Sequence, residues 1–420
     1  MTAFILRRQA FGAMLALLAS GSAAWATNGY FSNGYGVESK GMSGAGVAVQ
    51  SDDVMALAQN PAMGVELGNK VGFCASFFSP DRSVNVSPGG PLTVGKVSSA
   101  NHQFLIPCGG ANWQLGDRAA LGAHIFANGG MNTEYQTNVF AGLGAGSNPL
   151  GVNLEQVFLS FNYAYKASET LTFGVAPILA VQRFKATGLE AFGGLSSKPG
   201  SVTNNGHAWS SGLGVNLGVL YQPSETWRFG ASYRPEIDMG RFREYAGLFA
   251  DAGDFDIPAM ATLGLSLTPP TDRRWTLTAE YEHIWYGKVP SIANTSAPPP
   301  GPLGASNGVG FGWKNMNIWR LGAVFRKNEK WTLRGGLSYA TDFSDGPNAV
   351  INILAPATPK WHASLGATYK LSNGWSLSGA YTHAFDQSLT GANPALTGVA
   401  QPVRLRMKQD EVTLGMNYSW

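Results

Sequence analysis

Charge is scarce in this chain. Asp, Glu, Lys and Arg supply 13% of its residues, against about 25% in an ordinary soluble domain. That leaves too few charges to cover a large water-facing surface. The net charge is also small, +3 for the full sequence. Arg7 and Arg8 fall within the expected export leader, and without them it drops by two to +1. No basic field remains to attract nucleic acid. Long hydrophobic runs are missing too. No apolar stretch of the mature chain reaches the ~20 residues that a membrane-spanning helix needs. There are only two cysteines, Cys74 and Cys108. They fall on what read as the first two strands. Export makes a bridge between them chemically possible, and the sequence alone leaves it open.

What is present is glycine, 54 residues, and aromatic side chains at 11%. Residues 1–26 read as a secretory signal peptide. Arg7 and Arg8 form the positive end, Phe11 to Ala19 the apolar stretch, and Ala24-Trp25-Ala26 the small-x-small cleavage site. The Arg7-Arg8 pair also admits a twin-arginine signal, but its flanks fit that poorly. An exported chain with little charge, much glycine and many aromatics suits a transmembrane β-barrel.

The alternation agrees. From Glu411 to the end, Val412, Leu414, Met416, Tyr418 and Trp420 alternate with Glu411, Thr413, Gly415, Asn417 and Ser419. Period two puts the two sets on opposite faces of a strand. A unit opening on Trp just after a short polar turn recurs at Trp227, Trp275, Trp331 and Trp375. Trp at one level beside a turn is what an interfacial girdle requires, because the ring is apolar and its N–H seeks water or headgroups. Short turns near 114–118, 166–170, 222–226, 268–274, 326–330 and 370–374 alternate with long loops near 81–101, 128–151, 186–207, 241–255, 286–315, 341–358 and 386–407. Six short turns and seven long loops separate fourteen antiparallel strands. An even count returns both ends to one side, as bacterial barrels need. Pro107 and Gly109-Gly110 in the second strand predict a bend or bulge, and so a local break in the wall near the second and third strands.

Ahead of the strands lies Gly41 to Met63, rich in Gly and Ala, with the acidic pair Asp52-Asp53 and the closing Asn60-Pro61-Ala62. Small residues let backbone pack closely. Pro61 holds Asn60 extended, and Asp52 or Asp53 is placed to cap a short helix from Met55 to Gln59. This stretch reads as a compact plug. The bland alternative makes Asn60-Pro61 merely the turn entering the first strand. The expected layout is therefore a signal peptide at 1–26, a hatch at 27–68 and an all-β, fourteen-stranded transmembrane barrel at 69–420.

The order of Gly41, Gly44-Ala45-Gly46, Asp52-Asp53 and Asn60-Pro61-Ala62 leading into a strand at Lys70 resembles the FadL/TodX (OmpP1) family of outer-membrane transporters for hydrophobic compounds. Val54-Met55 depart from the small residues usual after the acidic pair. The resemblance implies hatch residues Gly41, Gly44, Gly46, Asp52, Asp53, Asn60, Pro61 and Ala62. It implies passive transport of long-chain fatty acids or aromatic hydrocarbons, held in an apolar pocket and released past the hatch or sideways near a kinked strand. A carboxylate ligand wants a cation. Arg183 and Lys185, beside Phe184 on the fifth strand, are the best-placed pair by the family layout, although odd positions there share a face with Leu179 and Val181. An aromatic ligand needs none, and Phe140, Phe192, Phe249 and Phe311 in the loops are candidates for its capture groove. The partners this implies are a hydrophobic small molecule, outer-membrane lipid and lipopolysaccharide, and the barrel-insertion machinery reading Trp420. Family precedent makes the protein a monomer.

Other classes fit less well. A general porin passing small polar solutes carries opposed rings of lumenal charge and no hatch. A structural surface barrel is a further alternative. None of the six histidines sits in a GxSxG or HExxH context. His362 and Ser364 share a strand face but have no identifiable third partner, so no catalytic residue, metal ligand or cofactor is assigned and an enzyme is not expected.

Overall fold

The computed structural model describes residues 28–420. The expected signal peptide, 1–26, lies outside the described residues. Fifteen strands form one antiparallel sheet, β1 (Lys70–Val86), β2 (Gly95–Ser98), β3 (Phe104–Leu115), β4 (Ala119–Tyr135), β5 (Leu150–Lys166), β6 (Leu171–Thr187), β7 (Ala208–Tyr221), β8 (Trp227–Arg234), β9 (Met260–Leu267), β10 (Trp275–Ile284), β11 (Met316–Arg326), β12 (Trp331–Ala340), β13 (Trp361–Lys370), β14 (Trp375–Gly391) and β15 (Val403–Ser419). β15 also pairs with β1, which closes the sheet into a barrel. β2 pairs only with the far end of β1, Ser83–Val86, so fourteen strands make the wall. The loop expected at 81–101 is thus partly a hairpin, and the one expected at 128–151 begins and ends as the long β4–β5 ladder.

Alternation sorts the side chains. On β15, Val412, Leu414 and Met416 are exposed while Glu411, Thr413 and Asn417 are buried. The tryptophans that open β8, β10, β12 and β14 are all exposed. Trp275 stacks on Phe325, and Trp331 and Trp375 pack against Tyr369 and Tyr418 on neighbouring strands. This gives a girdle at the short-turn end of the barrel. The wall is uneven in height. β8 and β9 have 8 residues each, while β1, β4, β5, β6, β14 and β15 have 17. About 9–11 residues cross a bilayer, so the long strands rise above the membrane at the long-loop end. The long loops fold over that end, and their apolar side chains make one buried cluster with the lumen.

Candidate functional site

The lumen is filled by the N-terminal segment, 28–68. It contains helix α1 (Gly36–Lys40), helix α2 (Ala56–Gln59), a 3-10 turn (Pro61–Met63) and helix α3 (Gly64–Leu67). Nearly all of it is buried. Its lower part is fixed by charge. Lys40 pairs with Glu411 of β15, Glu38 with Arg334 of β12 at 2.5 Å, and Glu66 with Arg228 of β8 at 2.7 Å. Glu280 of β10 accepts from the main-chain N–H groups of Gly46 and Val47 at 2.5 and 2.7 Å.

Asp53 is buried and accepts from the N–H groups of Val37 at the start of α1 (2.8 Å) and Met55 just ahead of α2 (3.0 Å). One carboxylate therefore joins two helix starts, where unpaired N–H groups favour an anion. Burial, together with the neighbouring Glu38 charge, still raises its pKa above the ordinary value. Asp52 is half exposed, between Lys70 (3.7 Å) and Lys370 (2.7 Å). Burial opposes its ionisation. The Lys370 hydrogen bond and the Lys70 and Lys370 charges outweigh that and lower its pKa.

Asn60-Pro61-Ala62 joins segment to wall. Asn60 is extended (φ −149°, ψ 112°), as the following proline requires. Its side-chain oxygen accepts from Ala62 N at 3.0 Å, and its Nδ2 donates to Val47 O at 2.9 Å and to Val219 O of β7 at 3.0 Å. Pro61 O accepts from Asn162 of β5 at 3.0 Å. The wall admits this turn because Gly174 of β6 and Gly218 of β7 have no side chain there. A Cβ on Gly218 would collide with Asn60 Oδ1 and Pro61 Cδ, and one on Gly174 with the Pro61–Ala62 peptide. Gly336 meets Met42, and Gly366 meets Gly41, in the same way. Gly44 needs its glycine for another reason: its φ is +90°. These inward wall glycines are functional positions that the sequence reading passed over. Their signal was glycine at positions where the alternation faces inward.

The upper part of the segment sits at a break in the wall. β4 pairs with β5 along its whole length, from Ala119↔Tyr165 to Tyr135↔Leu150. With β3 it pairs only from Leu115↔Ala119 to Gly109↔Ile125. Beyond that point β3 stays with β1, up to Phe78↔Phe104. Pro107 faces Ala75 there, and a proline has no N–H to donate to a ladder. The window ends at its outer rim where Ser99 bridges Tyr135. Phe31 occupies the exposed edge of β4 as a short added strand, bridged to Gly129. Ser32 N donates to Asn128 O and Gly130 N to Tyr30 O, both at 2.9 Å. Phe78, Phe104, Ile106 and Ala127 form a small apolar cluster beside the window. At its lower rim Cys74 and Cys108 are bridged, with Cα atoms 4.9 Å apart, which answers what the sequence left open.

The three residues expected at the ligand do not meet. Phe184 faces inward and packs on Tyr245 and Phe249 at 4.8 and 4.6 Å. Its neighbours Arg183 and Lys185 take the opposite face, because successive residues of a strand alternate. Arg183 is held by Glu155 of β5 at 2.8 Å and lies over Trp209. It is thus a neutralised wall cation turned away from the lumen, which corrects its expected place. The loop phenylalanines are buried rather than exposed: Phe140 packs on Phe192 at 4.9 Å, and Phe249 on Phe255 at 4.8 Å. Phe192 lines an apolar cavity of about 320 Å³ among the long loops, with Leu189, Leu195, Leu248, Leu303 and Ile351. Ser364 hydrogen-bonds to Ser43 and Thr382 at 2.9 Å, and His362 lies 3.4 Å from Gln409.

The described family "Outer membrane protein transport protein (OMPP1/FadL/TodX)" matches residues 16–420. The long-chain fatty acid transport protein of Escherichia coli is 24% identical over 408 residues, covering 85% of each chain. Among solved structures, the toluene transporter TodX of Pseudomonas putida has a TM-score of 0.68 at 19% identity, covering 92% of this chain and 99% of its own. A FadL homologue of Pseudomonas aeruginosa has a TM-score of 0.70 at 17% identity, covering 93% and 99%. At those identities the two structures show the shared barrel fold. The match to the family over nearly the whole sequence places this chain in the OMPP1/FadL/TodX family of outer-membrane transport proteins.

Proposed function

We propose that this protein carries hydrophobic compounds, long-chain fatty acids or aromatic hydrocarbons, passively across the outer membrane, with residues 27–68 as its hatch. The observation that carries the reading is the window between β3 and β4, filled by the hatch's own Tyr30–Ser32. A hydrophobic solute needs no water-filled pore. It needs a path past the polar outer leaflet and an apolar place to wait. The cavity among the long loops is such a place, since each buried methylene contributes about 0.8 kcal/mol. From there the solute reaches the lumen, and withdrawal of Tyr30–Ser32 lets it leave sideways into the membrane. No energy source is required, because a shift between two arrangements suffices. Gly41, Gly44, Gly46, Asp53 and Asn60-Pro61-Ala62 hold the lower hatch in place throughout. Exposed Trp420 at the end of β15 suits recognition by the insertion machinery. The outward aromatic girdle suits lipid and lipopolysaccharide, and a closed barrel suits a monomer.

Uptake of radiolabelled oleate and toluene by cells expressing the protein tests this reading. Uptake of either above empty cells, without passage of small sugars, is the expected result. Free passage of sugars with neither hydrophobic compound taken up would make it a porin instead.

A further inference from the structure

The outward face of β15 changes character along its length. Met416, Leu414 and Val412 are apolar and exposed. Asp410 follows, then Lys408, Arg406 and Arg404. β15 pairs with β1 without a register shift from Lys70↔Ser419 to Val86↔Val403, so these even positions all share the lipid-facing side. Tyr418, against Trp375, marks the girdle at the short-turn end. From Tyr418 to Lys408 the strand runs about 34 Å, at about 3.4 Å per residue. At a tilt of about 40° that is a height of about 26 Å, close to the ~25 Å of an outward apolar band. A second aromatic row agrees. Tyr339 packs on Trp319 at 6.0 Å and on Trp361 at 4.8 Å. Trp361 stands one outward step above the row Ala363–His383–Asp410, as Lys408 does. Lys408, Arg406 and Arg404 therefore lie at and above the edge of the hydrocarbon, on the long-loop side.

The charges there are unequal. Arg406 pairs with Asp386 of β14 at 2.7 Å, and Lys408 with Asp81 of β1 at 3.8 Å. Both pairs are partly exposed, so each holds weakly. Asp410 is taken up by Tyr381 and His383, at 2.6 and 2.7 Å. Arg404 donates to Ser388 Oγ at 3.4 Å. Arg404 of β15 and Lys96 of β2 are both exposed and lie across from the same residue, Asn85 of β1. Two strand spacings put them about 10 Å apart. No carboxylate among the described residues lies within 4.0 Å of either. Like charges gathered on one sheet face repel, and an anion between them removes that cost.

We propose that Arg404 and Lys96, flanked by Arg406 and Lys408, hold a phosphate of lipopolysaccharide, with its acyl chains on the apolar stripe below. That stripe includes Val412, Leu414 and the exposed Phe77, which faces Val412. Charge argues for the phosphate, since one guanidinium can take two of its oxygens. Height argues for lipopolysaccharide, because the site continues the lipid-facing band at the end that carries the long, extracellular loops. Every residue named faces outward, so the site does not depend on which solute crosses the lumen.

The test measures binding of phosphorylated lipid A, dephosphorylated lipid A, phosphatidylglycerol and inorganic phosphate to the purified, folded barrel in detergent. The wild type is expected to bind phosphorylated lipid A about tenfold to a hundredfold more tightly than the dephosphorylated form, the range of charge-assisted hydrogen bonds. The double variant Lys96→Gln, Arg404→Gln should bind the two forms alike. Lys330→Gln, the same kind of charge loss at the short-turn end, should keep the preference. A wild type without the preference, or a double variant that retains it, overturns the proposal. Phosphatidylglycerol bound as tightly as lipid A would make the face a general anionic-lipid surface, and displacement of the lipid by equimolar inorganic phosphate a simple anion site. Either result overturns the assignment to lipopolysaccharide. The wild-type comparisons need no variant, so they decide even if the double variant fails to fold.

Discussion

The lower and upper parts of the hatch occupy one lumen but are held by different forces. Residues 36–68 meet the wall through buried ion pairs and through main chain seated on glycine. Residues 28–32 meet it through a few main-chain bonds to β4 and through rings, among them Tyr30 against Tyr286 at 5.4 Å. Breaking a buried ion pair by losing one partner leaves an uncompensated charge, about 3–5 kcal/mol. A short strand at a sheet edge gives up individual bonds of about 0.5–1.5 kcal/mol net each. On the proposed reading the same chain carries a fixed part and a releasable part, divided where β3 leaves β4.

The strongest way to break this contrast is to fill a wall glycine. Gly218→Leu forces a side chain into the space of Asn60 and Pro61. It should dislodge the lower hatch, reported as rapid proteolysis within 41–63 and as raised ion conductance in planar bilayers. A variant as protected as the wild type would show that the close contact is not needed. Next is Asn60→Ala, which strips Val47 O, Val219 O and Ala62 N of their partner. Buried unpaired groups cost about 1–3 kcal/mol each. The unfolding midpoint should fall clearly, and no change would mean that water replaces the amide.

Gly129→Val acts on the other part. A Cβ there collides with Tyr30 O, so the upper strand should detach while the unfolding midpoint moves little. A midpoint drop as large as that of Asn60→Ala would erase the distinction. The smallest expected effect concerns the loop at 235–259. Burial and the nearby Asp254, Asp238 and Glu236 carboxylates push Asp256 up to about 7, against the Met239 N–H bond that favours the anion. Its folded pKa lies above the ordinary 3.8. The folded loop therefore holds its proton longer than the unfolded one. Its stability is greatest below about pH 4 and declines as pH rises through 7. After correction for intrinsic rates, its amides should exchange somewhat faster at pH 8 than at pH 5. The reverse order would contradict this assignment.

Much of the barrel was legible because lipid and lumen impose period two. All six short turns fall between strands where the sequence placed them, from Gly116 between β3 and β4 to Asn373 between β13 and β14. The break near Pro107 was legible because proline cannot serve a ladder. Asp53 does meet the helix start that follows it, but the sequence could not show that it also joins α1. Arg183 faces away from the lumen, on the side that its alternation with Leu179 and Val181 indicated. The wall glycines were half legible: the alternation puts Gly174, Gly218, Gly336 and Gly366 inward, but what each one admits depends on what lies across from it in the folded lumen.

The division of the hatch is tested most directly by hydrogen–deuterium exchange of the folded protein in detergent. Amides of 28–33 should exchange markedly faster than those of 36–63, and oleate should accelerate the first group while leaving the second protected. Uniform protection across 28–63, or acceleration of both groups together, would contradict a fixed lower hatch carrying a releasable upper strand.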